Sequence, residues 1–269
     1  MIKLGVNSVL FDGFDFRTAV ENVAAAGYDG IEVSAIQGMC EHLELDRWKQ
    51  QVPEMRTLAA DHGLELLSME HAKLDEERLP VAFEAAAELG IPVVNVGPGG
   101  TSDDEASLKE SIERLSRMAE RAEAAGVTLC VKAHVGQSIY DTPTTLKAMD
   151  AIRTNGFGVD MDPSHIHRAG EDPEKALPEV LERVRHVHIR DCKGRQAGPG
   201  APPEQACGRG DIDLMAYCRV MVDGNYDGPV CLEVIGAAKH ELPLNRVVTI
   251  AAESYGYLNA CLRHLGGRG

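Results

Sequence analysis

Aromatic residues supply only 4% of the 269-residue chain, with a single tryptophan. Aliphatic side chains must therefore carry most of any core. No apolar run approaches the ~20 residues needed to cross a bilayer, and no membrane partner is expected. The opening Met1-Ile2-Lys3-Leu4-Gly5-Val6 reads as a strand, not as a charged leader followed by a long apolar stretch. The seven cysteines form no Cys-x-x-Cys pair and are odd in number. Cys130 and Cys231 lie in apolar runs, where a thiol behaves as a small hydrophobe, so a reduced cytoplasm is the expected compartment. Positive charge is scarce: 27 Lys and Arg stand against 42 Asp and Glu, a formal charge of −15. Such a surface repels phosphate backbones, which argues against nucleic acid as a partner. No Gly-x-Gly-x-x-Gly follows the first apolar run, and no linker or low-complexity tract marks a domain boundary.

What is present is a repeated alternation. Short runs rich in Val, Ile and Leu occupy 2–6, 30–34, 64–69, 92–96, 127–132, 156–161, 185–189 and 229–234. They have the continuous apolar character of strands covered on both faces. Amphipathic segments separate them. Ser102-Asp103-Asp104-Glu105 has the capping-box pattern, followed by Leu108, Ile112, Leu115, Met118 and Ala122 at helical spacing. Ala24-Ala25-Ala26-Gly27 and Ala124-Ala125-Gly126 read as helix ends closed by glycine. Eight β–α units in this length predict a single α/β domain over 1–269, a (β/α)₈ TIM barrel. A doubly wound open sheet is the alternative. The widest connection, 191–210, is rich in Gly and Pro and is expected to form a lid or an interface arm beside the site.

In a barrel, catalytic side chains come from the C-terminal ends of the strands. Those ends carry Glu70-His71, Lys132-Ala133-His134, Asp162 with His165, His188 with Arg190, and Glu233. Unpaired buried charges are costly, so five convergent ends point to one polar cavity. Asp160 shares a strand face with Asp162, and His186 with His188, and the later member of each pair lies nearer the rim. Asp162, His188 and Glu233 thus offer two carboxylates and an imidazole, the chemistry of divalent-metal ligation. A hydrogen-bonded network without metal is the competing reading.

These residues carry a resemblance. The chain resembles the sugar phosphate isomerase/epimerase superfamily, the xylose isomerase-like barrels that include ketose 3-epimerases, inosose isomerases and dehydratases, and the type IV AP endonucleases. The similarity is strongest in Gly27-Tyr28-Asp29-Gly30-Ile31-Glu32, in the stretches ending Asp162-Pro163-Ser164-His165 and His188-Ile189-Arg190-Asp191, in Gly208-Arg209-Gly210-Asp211-Ile212-Asp213, and in Tyr226-Asp227-Gly228-Pro229-Val230-Cys231-Leu232-Glu233. It implies one divalent metal (Mn²⁺, Mg²⁺, Co²⁺ or Zn²⁺) held by Glu, Asp, His and Glu from strands five to eight. Asp162, His188 and Glu233 match the last three. Where the first Glu is expected, in a Glu-Asn-His sequence, this chain has Lys132-Ala133-His134.

That departure leaves three arrangements open. A metal sits on Asp162, His188, Glu233 and a substitute such as Glu70, His71 or water; or the site is metal-free and organised by Lys132 between Asp162 and Glu233; or a neutral Lys132 acts as base beside a metal. Glu233, by the resemblance, and Lys132, by its place at the strand end, are the catalytic candidates; Glu70, His71, His165 and Arg190 are candidates to meet a small sugar substrate, and His134 either meets it or caps its strand. Glu32 reaches either the cavity or Lys132. Arg190, Lys193, Arg195 and Arg209 are candidates to grip a phosphate or carboxylate. The implied activity is isomerisation or epimerisation of a small polyhydroxy ketone, or its phosphate, through an enediolate. Dehydration of a keto-sugar or inosose is the alternative, and a non-catalytic sugar-binding barrel a further one. Relatives of this kind are often homodimers or homotetramers. Gly97 and Lys132 stand where the AP-endonuclease branch has ligands, which argues against that branch.

Overall fold

A ring of eight parallel strands closes on itself in a computed structural model that describes residues 1–195 and 198–269. The elements run β1 (Lys3–Asn7), α1 (Phe16–Ala26), β2 (Gly30–Ile36), β3 (Cys40–Glu41), α2 (Trp48–Asp61), β4 (Glu65–Ala72), α3 (Leu79–Leu89), β5 (Val93–Val96), α4 (Glu105–Ala124), β6 (Thr128–Lys132), α5 (Thr142–Ala151), β7 (Phe157–Met161), α6 (Pro163–Arg168), α7 (Pro173–Val180), β8 (Val184–Ile189), α8 (Leu214–Asp223), β9 (Pro229–Leu232) and α9 (Leu244–His264). The sheet order is β1-β9-β8-β7-β6-β5-β4-β2, and pairing of β1 with β2 completes the barrel. The short β3 adds an antiparallel hairpin to β2. The open-sheet alternative is thereby excluded. Among the described residues, no helix is long and apolar enough to cross a membrane.

All eight apolar runs are barrel strands, and the core is mostly Val, Ile, Leu and Ala, with the few aromatics Phe11, Tyr28, Phe83, Phe157, Tyr217 and Tyr226 buried among them. Asp residues start several helices by accepting from backbone N–H groups: Asp15 from Thr18, Asp141 from Thr144, Asp213 from Ala216. Gly27 closes α1 at φ 96°, a left-handed conformation that favours glycine. The cap expected at Ser102 is instead Asp104, which accepts from Ala106 and Ser107. The helix therefore begins two residues after the capping-box pattern indicated.

Strand register shifts occur between Ile31 and Glu32, between Glu70 and Ala72, and between Val159 and Asp160. Such irregularities re-aim side chains, and each adjoins an acidic residue of the site described below. The 191–210 connection is pinned by its first residue: the Asp191 carboxylate accepts from the N–H groups of Cys192, Gly208 and Ile212 at 2.9, 3.0 and 3.2 Å. Pro199 of this segment borders the cavity at the strand ends, and residues 196–197 lie outside the described residues.

Gly210 packs directly on that anchor. A methyl group there would fall 2.1 Å from Asp191 Oδ1 and 2.4 Å from the Cys192 carbonyl oxygen. Gly210→Ala should therefore destabilise the fold by about 1–3 kcal/mol, the usual cost of overpacking. Urea denaturation monitored by circular dichroism reads this directly, and an unchanged midpoint would show the loop to be held by other contacts.

Candidate active site

The barrel interior is not the purely aliphatic plug usual for this architecture. Asn7, Glu32, Ser68, Asn95, Asp160, His186 and His188 lie inside it with no solvent exposure. They pair with one another, although the Asn95 side-chain oxygen finds no hydrogen-bond partner among the described residues. His188 is clamped between two carboxylates, its Nε2 2.6 Å from Glu32 and its Nδ1 2.6 Å from Asp160. Asp160 also meets His186 Nδ1 at 2.9 Å, and the Ser68 hydroxyl lies 2.9 Å from the other His186 nitrogen. Asn95 donates to Glu32 at 2.7 Å.

Above this floor, at the strand ends, two cations share one carboxylate. Lys132 Nζ donates to Glu233 Oε1 at 2.7 Å and to Glu70 Oε1 at 3.3 Å. Arg190 Nη2 lies 3.1 Å from the other Glu233 oxygen and 3.0 Å from Asp162 Oδ2. Asp162 caps α6: its Oδ1 accepts from the Ser164 N–H at 2.8 Å and the Ser164 hydroxyl at 2.7 Å. The same hydroxyl oxygen accepts from Arg190 Nε at 2.8 Å. Asn7 donates to Glu70 and thereby ties β1 into the group.

This cluster forms the base of a cavity of about 340 Å³, lined there by Glu70, Lys132, His134, His165, Arg190 and Glu233. The volume suits a small ligand. The mouth is apolar, with Ile36, Met39, Pro199 and Ile235, and Met39 is half exposed.

The electrostatics follow from burial opposed by pairing. Five carboxyl groups (Glu32, Glu70, Asp160, Asp162, Glu233) face Lys132, Arg190 and His188. With all of them ionised the group lacks two positive charges, and protonating Glu70 removes half of that deficit. Burial pushes the Glu70 carboxyl up to about 7; Lys132 pulls it back while Glu233 pushes it further. For Glu233, burial is overcome by Arg190 and then Lys132, which hold it well below the ordinary carboxylate range. Asp160 and then Glu32 outweigh burial at His188 and keep it protonated well above its usual value. His165 is driven the other way, first by burial and then by Arg190, and is neutral.

The residues singled out in the sequence are brought together with specific exceptions. Glu70, Lys132, His134, His165, Arg190 and Glu233 line one cavity. His134 stacks on His165 with ring centroids 4.2 Å apart. His71 does not join them: it faces away from the cavity, buried with Nδ1 on the Lys73 carbonyl at 2.9 Å. The cation between Asp162 and Glu233 is Arg190, and Lys132 instead bridges Glu233 and Glu70. Glu32 pairs with His188, not Lys132. Arg190 grips carboxylates of the chain itself, Arg195 pairs with Asp172, and Arg209 pairs with Glu253. Gln137, which also lines the cavity and accepts from the Gly99 N–H at 2.7 Å, was not expected. It follows a strand end by five residues, and nothing in its own surroundings in the sequence marks it.

Among the described residues, three groups of ligand-type side chains lie closely enough to surround a divalent metal, their donor atoms within 4.8 Å of one another: Glu70, His188 and Glu233; Asp160, His186 and His188; and Glu32, His186 and Cys231. The arrangement of each decides the fit. The Lys132 ammonium stands amid the first, 2.7 Å from Glu233 and 3.3 Å from both Glu70 and His188 Nδ1. The second is closed by direct contacts of 2.9 and 2.6 Å between Asp160 and its histidines. In the third, both His186 nitrogens are already engaged, one by Asp160 and the other by the Ser68 hydroxyl, each at 2.9 Å. Asp162 belongs to none of the three and joins Glu233 across Arg190. With Lys132 and Arg190 where they are, the side chains do not fit a divalent ion.

A family model described as xylose isomerase-like TIM barrel matches residues 20–260. Among curated proteins, the chain is similar to an inosose dehydratase of Clostridium perfringens, 27% identical over 142 residues, a match covering 48% of each. It thus spans about half the length of that relative. Among solved structures, it superposes on a D-psicose 3-epimerase with D-tagatose from Clostridium cellulolyticum H10 with a TM-score of 0.80, 17% identity and coverage of 97% of this chain and 99% of that one. It also superposes on an IolI protein with a bound zinc atom, with a TM-score of 0.78, 18% identity and coverage of 96% and 98%. These likenesses show the barrel.

The clamp on His188 has a spectroscopic consequence. With its folded value raised, the imidazolium should persist at pH 8, whereas His165 should be neutral at pH 6. Side-chain ¹⁵N shifts of the two rings decide it, and a neutral His188 at pH 7 would mean that Glu32 and Asp160 are not both ionised against it.

Proposed function

The chain belongs to the xylose isomerase-like TIM-barrel family, and we propose that it is a sugar isomerase or epimerase that moves a proton beside the carbonyl of a small polyhydroxy ketone. The observation that carries this reading is the split between two carboxyl groups on one ammonium. Glu233 is held ionised by Lys132 and Arg190, while Glu70 has a pKa of about 7. Environments that push paired carboxyls apart divide their roles. Glu70 can take up and return a proton near neutral pH, as a general acid–base group must. Glu233, the residue expected to transfer the proton, serves in this reading to fix two cations.

Removal of the α-proton by ionised Glu70 places negative charge on the carbonyl oxygen. Lys132 and Arg190, preorganised at the base of the cavity and poorly hydrated there, stabilise that oxyanion. Neutral His165, His134 and Gln137 line the same wall and orient hydroxyl groups. Return of the proton from Glu70 to the neighbouring carbon gives the isomer, whereas the epimer forms when the enediolate takes a proton on its opposite face from a donor other than Glu70.

A second reading is supported by the name of the curated relative, an inosose dehydratase. The same enolate expels a β-hydroxyl, the proton taken by Glu70 is delivered to the departing oxygen, and water leaves. A screen of ketoses, keto-sugars and inososes with and without phosphate, read by chromatography, separates an epimer or isomer from a product lighter by one water. Binding without turnover would favour a non-catalytic barrel.

With a substrate in hand, kcat/KM should rise with pH through about 7, because Glu70 must lose its proton to act as base. Glu70→Gln should cost about 10²–10⁴-fold, the range of general base catalysis, and abolish that ionisation. Glu233→Gln should lower kcat as well but retain an inflection, moved below 7, because Glu233 no longer raises Glu70 and Lys132 is left to pair with it. An unaltered pH profile in Glu70→Gln would remove Glu70 from proton transfer.

A further inference from the structure

We propose that Lys132 and Arg190 together occupy the place of a divalent ion in this barrel, so that the positive charge at the strand ends is built into the chain. Two monovalent cations carry the charge of one dication. They are distributed over the groups that would ligate it: Lys132 contacts Glu70, Glu233 and His188, and Arg190 spans Asp162 and Glu233. The remaining ligating capacity is already used. Both nitrogens of His188 face carboxylates at 2.6 Å, and the second oxygen of Asp162 holds the start of α6. A dication in the Glu70–His188–Glu233 group would lie within about 3 Å of the ammonium, an approach that like charges in a poorly hydrated site resist.

The geometry also differs from that of an ion in what it offers a ligand. A single metal gathers two substrate oxygens at one centre. Here Lys132 and Arg190 lie on opposite oxygens of Glu233 and present two separate donor sites. That part of the inference rests on the proton-transfer reading; occupancy by the cations does not.

The test is made without substrate. The purified chain is dialysed against chelator and titrated with Mn²⁺ by calorimetry and by melting temperature, with elemental analysis before and after. The parent should carry far less than one equivalent of metal and show no melting shift at millimolar Mn²⁺. Lys132→Glu should bind one equivalent at least tenfold more tightly and melt higher in its presence. If that variant does not fold without metal, Lys132→Met empties the same place without adding a charge and should change in the same direction. A parent that holds one equivalent through dialysis overturns the proposal. So does a series in which neither variant gains affinity. Because no turnover is read, inactivity on every sugar would count against the proposed function and leave this result standing.

Discussion

Glu233 accepting from Lys132 on one oxygen and meeting Arg190 on the other is the contact on which the rest of the site depends. It joins the ends of β6, β8 and β9 through ionic groups that are almost entirely removed from water. Burying such charges is unfavourable by several kcal/mol each unless every partner is in place, and removing one partner of a buried pair costs about 3–5 kcal/mol. The network is therefore all or nothing. Glu70 and Asn7 extend it to β4 and β1, and Asp162 extends it to α6. The strand ends are bound to one another by the same charges that face the ligand.

Below that contact, the polar floor sets the charge states above it. His188 is kept cationic by Glu32 and Asp160, and it adds a positive charge close to Lys132. The local shortage of positive charge then falls on Glu70, the carboxyl with the weakest cationic pairing, and its proton is retained to about neutral pH. Two glutamates three strands apart around the barrel thus differ in acidity because one has two cations at short range and the other shares one at 3.3 Å.

The eight barrel strands and the side chains at their ends were legible in the sequence because both follow from local pattern: short apolar runs, then an acid, base or histidine where the strand stops. Partner choice was not. Whether Lys132 lies against Asp162 or Glu70 depends on barrel radius and on the register shifts beside Glu32, Glu70 and Asp160, which no nearest-neighbour pattern encodes. Arg190 read equally well as a grip for an external anion; its burial against Asp162 and Glu233 appears only when β8 is placed between β7 and β9. His71 was misplaced because successive strand residues point to opposite faces: Glu70 takes the interior face with Ser68, and the His71 ring turns to the Lys73 carbonyl. The antiparallel pair Cys40–Glu41 was missed because two residues carry too little periodicity to register.

Lys132 reaches its neighbours on a flexible four-carbon stem anchored in β6. A charge tethered in this way has an effective concentration fixed by the fold, not by the surrounding solution. Dilution, a chelator or a shortage of ions leaves the ammonium in every folded molecule, so that assembling the chain and assembling the charged cavity are one event. The stem's rotational freedom is lost once, when the barrel closes, rather than each time a ligand arrives.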